Sequence, residues 1–110
     1  MKRFTLRETC ELCGVTRRAV QGYEHYDLVR PCGRTERGYL LYDEDAVRRI
    51  RFIKALQNCG FSVREIAGYQ ELTREERRAV LLRKREMLCR KREDIERYIA
   101  EIEVMIENVD

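Results

Sequence analysis

Basic side chains gather in two short stretches near the start of the chain. Arg17 and Arg18 directly follow Thr16, and Arg34 and Arg37 lie between two glycines further on. Guanidinium groups pair with phosphate oxygens and with base edges, so the chemistry open to these residues is nucleic-acid binding. The pattern favours a binding surface over a reaction centre.

The first of these stretches needs a helix on each side of it. Thr5 and Glu8 are spaced as a capping box, which predicts a helix over about residues 6–13. Gly14 supplies the permissive backbone that ends this helix.

Thr16 is placed to cap a second helix over about residues 17–26. In a helix-turn-helix unit, the N-terminal residues of the second helix face base edges and phosphates. We therefore expect Thr16, Arg17 and Arg18 to contact DNA.

Three further helices follow. Acidic residues from Asp43 onward open the third, capping boxes at Ser62 and Thr73 open the fourth and fifth, and the fifth continues unbroken to about residue 108. Apolar residues at helical spacing are expected to face inward: Val47, Ile50, Ile53, Leu56, Val63, Ile66 and Tyr69.

The order of these motifs resembles the MerR family of transcriptional regulators over essentially the whole chain. Each motif alone is weak, but the ordered set is specific. The matching segments are Gly14-Val15-Thr16, Tyr23-Glu24, Leu28 to Pro31, Gly38 to Tyr42 and Gly60-Phe61-Ser62-Val63. The resemblance implies a mainly α fold with a winged helix-turn-helix, in which the stretch around Arg34 and Arg37 is the wing.

Two departures from the family pattern involve three positions. Gln21 and Gly22 stand where the family has an arginine and an aromatic residue, and Leu40 stands where it has a second arginine. Glutamine can pair bidentately with adenine, so we interpret the change as altered readout.

The resemblance also implies that Tyr23 and Tyr39 touch the sugar-phosphate backbone, although both could be core residues with satisfied hydroxyls. Tyr42 is expected in the core. The predicted DNA-binding residues are Thr16, Arg17, Arg18, Gln21, Tyr23, Arg34, Arg37 and Tyr39.

The net charge of +3 is unevenly distributed. Residues 1–42 carry eight Lys/Arg and five Asp/Glu, whereas residues 43–72 and 73–110 are each balanced. The positive excess therefore lies at the winged end, as phosphate binding requires.

The last helix is too long to bury itself against a domain of this size and needs a partner. Its apolar residues recur every seven positions. The predicted dimer interface comprises Leu81, Leu88, Ile95, Tyr98, Ile99, Ile102, Met105, Ile106 and Val109. We expect residues 1–72 to form the DNA-binding domain and residues 73–110 the dimerisation helix.

Charge predicts the orientation of this pairing. Residues 74–92 carry nine Lys/Arg and three Asp/Glu, and residues 93–110 carry one Arg and seven Asp/Glu. Antiparallel pairing opposes unlike blocks along the coiled coil. The apolar stripe is also self-complementary about a two-fold between residues 91 and 92, so that Leu81 faces Ile102 of the partner subunit and Leu88 faces Ile95 of the partner subunit. The alternative is a solvated single helix.

Five cysteines, an odd number, argue against a disulfide framework. A zinc site would need about four ligands, and beside Cys10 and Cys13 only Cys32 and His25 are candidates, so a buried inert thiol is the better account of Cys10. A redox role for Cys32 and a symmetric Cys89 pair stay open as alternatives, and Cys59 is expected to pack. We expect no metal and no cofactor.

The sequence lacks the residue sets of an enzyme, a bilayer-spanning run and a signal peptide, so a cytoplasmic, non-enzymatic protein is expected. The chain ends with its last helix, which predicts a short form without an appended effector domain. The resemblance implies a homodimer that binds a pseudo-palindromic promoter site in double-stranded DNA and distorts it for RNA polymerase. The alternative is a dimeric interaction module or mobile-element architectural factor with a weakened DNA face; no membrane partner is expected.

Overall fold

The computed structural model describes residues 2–110. Within these residues the chain forms five helices and three short strands. They are β1 (Arg3–Thr5), α1 (Leu6–Cys13), α2 (Arg17–His25), β2 (Gly33–Arg34), β3 (Leu40–Asp43), α3 (Glu44–Asn58), α4 (Val63–Gln70) and α5 (Arg74–Glu107). The chain divides into two compact units, of which the first ends at Glu71 and the second covers Leu72–Asp110.

The first unit contains a small antiparallel sheet with strand order β1-β3-β2. In β1 and β3, Thr5 lies opposite Leu41 and Arg3 opposite Asp43. The β2–β3 hairpin is the predicted wing. Since β1 leads directly into α1, this register fixes the first turn of α1 beside the start of β3.

Local capping chemistry determines where the helices begin, as the sequence predicts. The Thr5 hydroxyl accepts a hydrogen bond from the Glu8 amide at 3.2 Å, and the Thr5 amide donates to the Glu8 carboxylate at 2.9 Å. Capping boxes also open α4 and α5. Gly14 ends α1 with φ at +65°, in the left-handed region where glycine is favoured. The predicted helix-turn-helix, wing and long last helix are confirmed.

The core of the first unit lies between α2, β3, α3 and α4. Four of the residues expected to face inward on α3 are buried, as is Ile66 on α4, while Val63 and Tyr69 are half-buried. The prediction that Cys59 packs is wrong, because this C-terminal cap of α3 is exposed.

The second unit is essentially one helix of 34 residues, about 51 Å long at 1.5 Å per residue. None of its residues is buried, although it carries a full apolar stripe. Across residues 2–110, no helix is both long and apolar enough to cross a bilayer.

Candidate nucleic-acid interface

The second helix presents one polar face to solvent. Thr16, Arg17, Arg18 and Gln21 are exposed, whereas Val20 and Tyr23 on the opposite face are buried. The predicted reading residues are thus free for a ligand to approach.

The start of α2 suits an anion. Thr16 accepts a hydrogen bond from the Ala19 amide at 3.0 Å, which leaves its hydroxyl proton available to a phosphate oxygen. Among the helices within residues 2–110, α2 is the only one with no acidic residue in its first turn. The positive end of its dipole is therefore not neutralised locally and adds to the charges of Arg17 and Arg18.

The wing is closed by its own hydrogen bonds. The Thr35 amide donates to the Tyr39 carbonyl at 2.8 Å, the Gly38 amide donates to the Thr35 carbonyl at 2.9 Å, and the Tyr39 amide donates to the Thr35 hydroxyl at 3.1 Å. Gly38 has φ at +87°, a conformation that few other residues adopt. These contacts hold the tip in one shape.

The predicted wing contacts are exposed, but they differ in what they do in the free protein. Arg34 donates to the Gly38 carbonyl at 2.8 Å and so braces the turn. Arg37 lies at the exposed tip, and Tyr39 is 63% exposed. Arg34 keeps donors for a phosphate, because a guanidinium has five N–H groups.

Tyr23 is a core residue, contrary to the expected contact with the sugar-phosphate backbone. It is 1% exposed, and its hydroxyl donates to the Gln57 side chain at 2.6 Å. Burial raises the pKa of the Tyr23 hydroxyl. Because a buried ring offers no surface to DNA, we remove Tyr23 from the interface; it connects α2 to α3 instead.

Tyr42 is buried as predicted, and its hydroxyl donates to the Glu24 carboxylate. Burial, with the hydrogen bond to Glu24 as a second cause, raises the pKa of this tyrosine. The contact connects β3 of the wing to α2. Tyr23 and Glu24 therefore hold α2, the reading helix, against α3 and β3 respectively. The sequence analysis missed this role.

Arg7 is a further residue that the sequence analysis missed. A groove between α1, α2 and the wing is lined by Arg7, Arg17, Tyr39 and Leu40, together with Thr5, Leu6 and Gly38. Arg7 is exposed and pairs with Glu11 at 3.3 Å. No local sequence signal marks it, because the groove arises from the long-range β1–β3 pairing.

Gly22 lies within α2, and a methyl group added there meets no atom within 4 Å. Leu40, the other departure from the family pattern, is half-buried in the groove. Neither position distorts the fold.

The predicted dimer stripe on α5 is exposed along its whole length. Leu88 is 39% exposed, Ile95 56% and Ile102 53%. Exposed apolar stripes of this size mark interaction sites in soluble proteins.

The cysteines are all free thiols. Cys10 and Cys13 are half-buried, and burial raises the pKa of each. Cys32 is exposed beside the wing, and Cys89 is half-buried. Within residues 2–110, no group of three or more His, Cys, Asp or Glu side chains is arranged to hold a metal ion.

The exposed reading helix and the wing define a winged helix-turn-helix protein. Two family models match the chain: one described as MerR HTH family regulatory protein over residues 4–72, and one described as MerR, DNA binding over residues 47–110. The chain belongs to the MerR family of transcriptional regulators and carries the DNA-binding domain of that family.

Similar proteins agree with this assignment. The mercuric resistance operon regulatory protein of Bacillus cereus is 38% identical over 64 residues, which is 58% of this chain and 48% of that protein. Nodulation protein NolA of Bradyrhizobium elkanii is 39% identical over 72 residues, 66% of this chain and 33% of that protein. The chain thus spans about half or less of the length of these relatives.

Solved structures share the fold. A MerR family transcriptional regulator from Bacillus cereus superposes with a TM-score of 0.78 at 24% identity, over 97% of this chain and 82% of that one. HiNmlR, a MerR family regulator lacking the sensor domain and bound to promoter DNA, superposes with a TM-score of 0.72 at 19% identity, over 89% of this chain and 79% of that one.

Proposed function

We propose that this protein is a sequence-specific transcriptional regulator that binds a pseudo-palindromic promoter site as a homodimer. The observation that carries the proposal is the polar face of α2, where Arg17, Arg18 and Gln21 are exposed and Arg17 lines the same groove as Tyr39 of the wing. The two arginines neutralise phosphates, and Gln21 is the residue suited to read an adenine edge.

Because Tyr23 is buried, the proposed interface contains the other seven predicted residues. They are Thr16, Arg17, Arg18, Gln21, Arg34, Arg37 and Tyr39. The first four contact the major groove and its flanking phosphates, and the wing residues contact the backbone beside it.

The dimer forms through antiparallel pairing of α5. Support comes from the exposed stripe and from the charge blocks, which are +6 over residues 74–92 and −6 over residues 93–110. Exposed ion pairs contribute only about 0–1 kcal/mol each, so the apolar seam supplies affinity and the charges choose the direction. Antiparallel pairing separates the two α5 N-termini by about 50 Å.

This register disfavours the symmetric Cys89 pair. With the two-fold between residues 91 and 92, the two Cys89 positions are offset by five residues, or about 7.5 Å along the axis. Disulfides need Cα atoms within about 6.8 Å. Cys89 is therefore a half-buried thiol at the edge of the seam.

The dimer acts on promoters by deforming DNA so that RNA polymerase can engage it. Support comes from membership of the family and from HiNmlR, the structural neighbour bound to promoter DNA. Deformation of this kind makes specificity depend on base pairs that the protein does not touch.

The test selects bound duplexes from a randomised DNA pool and measures their affinity by fluorescence anisotropy across a salt series. We expect an inverted-repeat consensus and steep salt dependence. Arg17→Ala and Arg18→Ala should each lower the salt slope by about 0.9 per half-site.

Matched variants separate the interface from general effects of charge and fold. Arg48→Ala removes an exposed arginine that pairs with Asp45 on α3, outside both proposed interfaces, and it should leave binding unchanged. Tyr23→Phe should leave the salt slope unchanged, because this hydroxyl faces Gln57 and makes no phosphate contact. Failure to enrich any duplex would refute the proposal and favour a protein-interaction module.

A further inference from the structure

The groove between α1 and the wing contains cationic groups from two helices. Arg7 from the first turn of α1 and Arg17 from the first turn of α2 line it together with Tyr39 and Leu40. Both arginines are exposed. The groove therefore lies at the border of the proposed DNA-binding face, and its cations come from both α1 and α2.

Sheet register places Arg7 next to the wing. Thr5 pairs with Leu41 at the end of the antiparallel β1–β3 ladder, and α1 begins at the next residue, so the first turn of α1 lies beside the start of β3. The side chains of Arg7 and Tyr39 line the same groove there. Tyr39 is itself 63% exposed. A DNA backbone that follows the wing at Tyr39 therefore passes within reach of the Arg7 side chain.

Arg7 is available for such a contact. Its pairing with Glu11 at 3.3 Å is between side chains that are 81% and 67% exposed. Ion pairs of this kind are weak in water and are readily exchanged for a phosphate. By contrast, Leu40 in the same groove carries no charge.

We propose that Arg7 is a DNA-backbone contact that supplies the cation missing at position 40. This inference rests on the proposed function, because it assumes that the winged face binds duplex DNA. Arg7, which lies outside α2, then acts with Arg17 on phosphates at the edge of the groove.

The test uses the full chain and the duplex selected above. Arg7→Ala should lower the salt slope by about 0.9 per half-site and weaken binding at 0.1 M salt by roughly eightfold per half-site. Leu40→Arg in the Arg7→Ala background should restore both values. Arg7→Lys should retain most of the slope, because it keeps the charge.

Two controls distinguish a phosphate contact from a structural role. Glu11→Gln removes the ion-pair partner of Arg7 and should not weaken binding. Arg48→Ala removes an exposed arginine paired with Asp45 in the same unit and should leave the salt slope unchanged.

The outcomes separate this inference from the proposed function. If Arg17→Ala lowers the slope while Arg7→Ala does not, the Arg7 contact is refuted and the proposed function stands. If Glu11→Gln weakens binding as much as Arg7→Ala does, Arg7 acts through the helix and the inference is also refuted. If the wild-type protein binds no duplex, both fail together.

Discussion

Ile95 offers a quantitative test of the dimer, because it lies in the proposed seam and is 56% exposed on the single chain. Full burial of an isoleucine contributes about 1.5–3 kcal/mol, so covering the exposed half contributes about 0.8–1.7 kcal/mol. Each dimer contains two copies, which gives about 1.7–3.4 kcal/mol, or roughly a 15- to 300-fold change in the dimer Kd. Ile95→Asp loses this contribution and also brings a carboxylate toward an apolar seam, so the effect should be at least this large.

Val104→Asp is the matched control. Val104 lies on the same acidic half of α5 and is 58% exposed, but it is outside the seven-residue repeat. Sedimentation velocity over a concentration series should show a weakened dimer for Ile95→Asp and a wild-type dimer for Val104→Asp. Equal dissociation constants for the two variants would refute the seam.

Crosslinking tests the orientation of the same dimer. In a background with serine at the five native cysteine positions, Leu88→Cys combined with Ile95→Cys should form intersubunit disulfides on oxidation. Leu88→Cys alone should not, because the antiparallel register offsets its two copies by about 10.5 Å along the axis. Efficient crosslinking of the single variant would establish parallel pairing instead.

Two further predictions concern the first unit and the helix caps. Gly22→Ala should raise the free energy of unfolding by about 0.5–1 kcal/mol, because alanine favours the helix and the added methyl group meets no atom within 4 Å. The expected rise in Tm is about 2–8 °C. An unchanged or lower Tm would contradict the prediction. The hydrogen bond from the Thr5 amide lowers the pKa of Glu8, and the Thr73 amide does the same for the pKa of Glu76. Because the pKa of each carboxyl is lower in the folded state than in the unfolded state, the free energy of unfolding falls as pH drops below the ordinary value of 4.5. Glu8→Gln should weaken this pH dependence, measured by urea denaturation between pH 7 and 3. An equally steep loss of stability in the variant would contradict the assignment.

The sequence alone predicted most of the fold because its helix boundaries are set by local chemistry. The capping residues Thr5, Thr16, Ser62 and Thr73 each bond to an amide three residues away, and such contacts are visible in sequence. The heptad repeat of α5 was equally visible, although pairing itself involves a second chain.

The candidate site was less predictable, because it depends on contacts between distant elements. The burial of Tyr23 follows from its packing against Gln57, 34 positions away, although its spacing from Val20 on α2 already pointed inward. Arg7 lines the same groove as the wing because the β1–β3 pairing brings the start of α1 beside β3. Sequence patterns identify which residues can bind phosphate, whereas tertiary pairing decides which of them share a surface.

The hydrogen bonds that close the wing have an energetic consequence for recognition. Since Thr35, Gly38 and Tyr39 already hold the tip in one shape, the loop has little conformational entropy left to lose when a ligand arrives. A preorganised tip also adapts poorly. The DNA must then deform to fit the wing at each target site. Sites with stiff sequences beneath the wing should therefore bind more weakly.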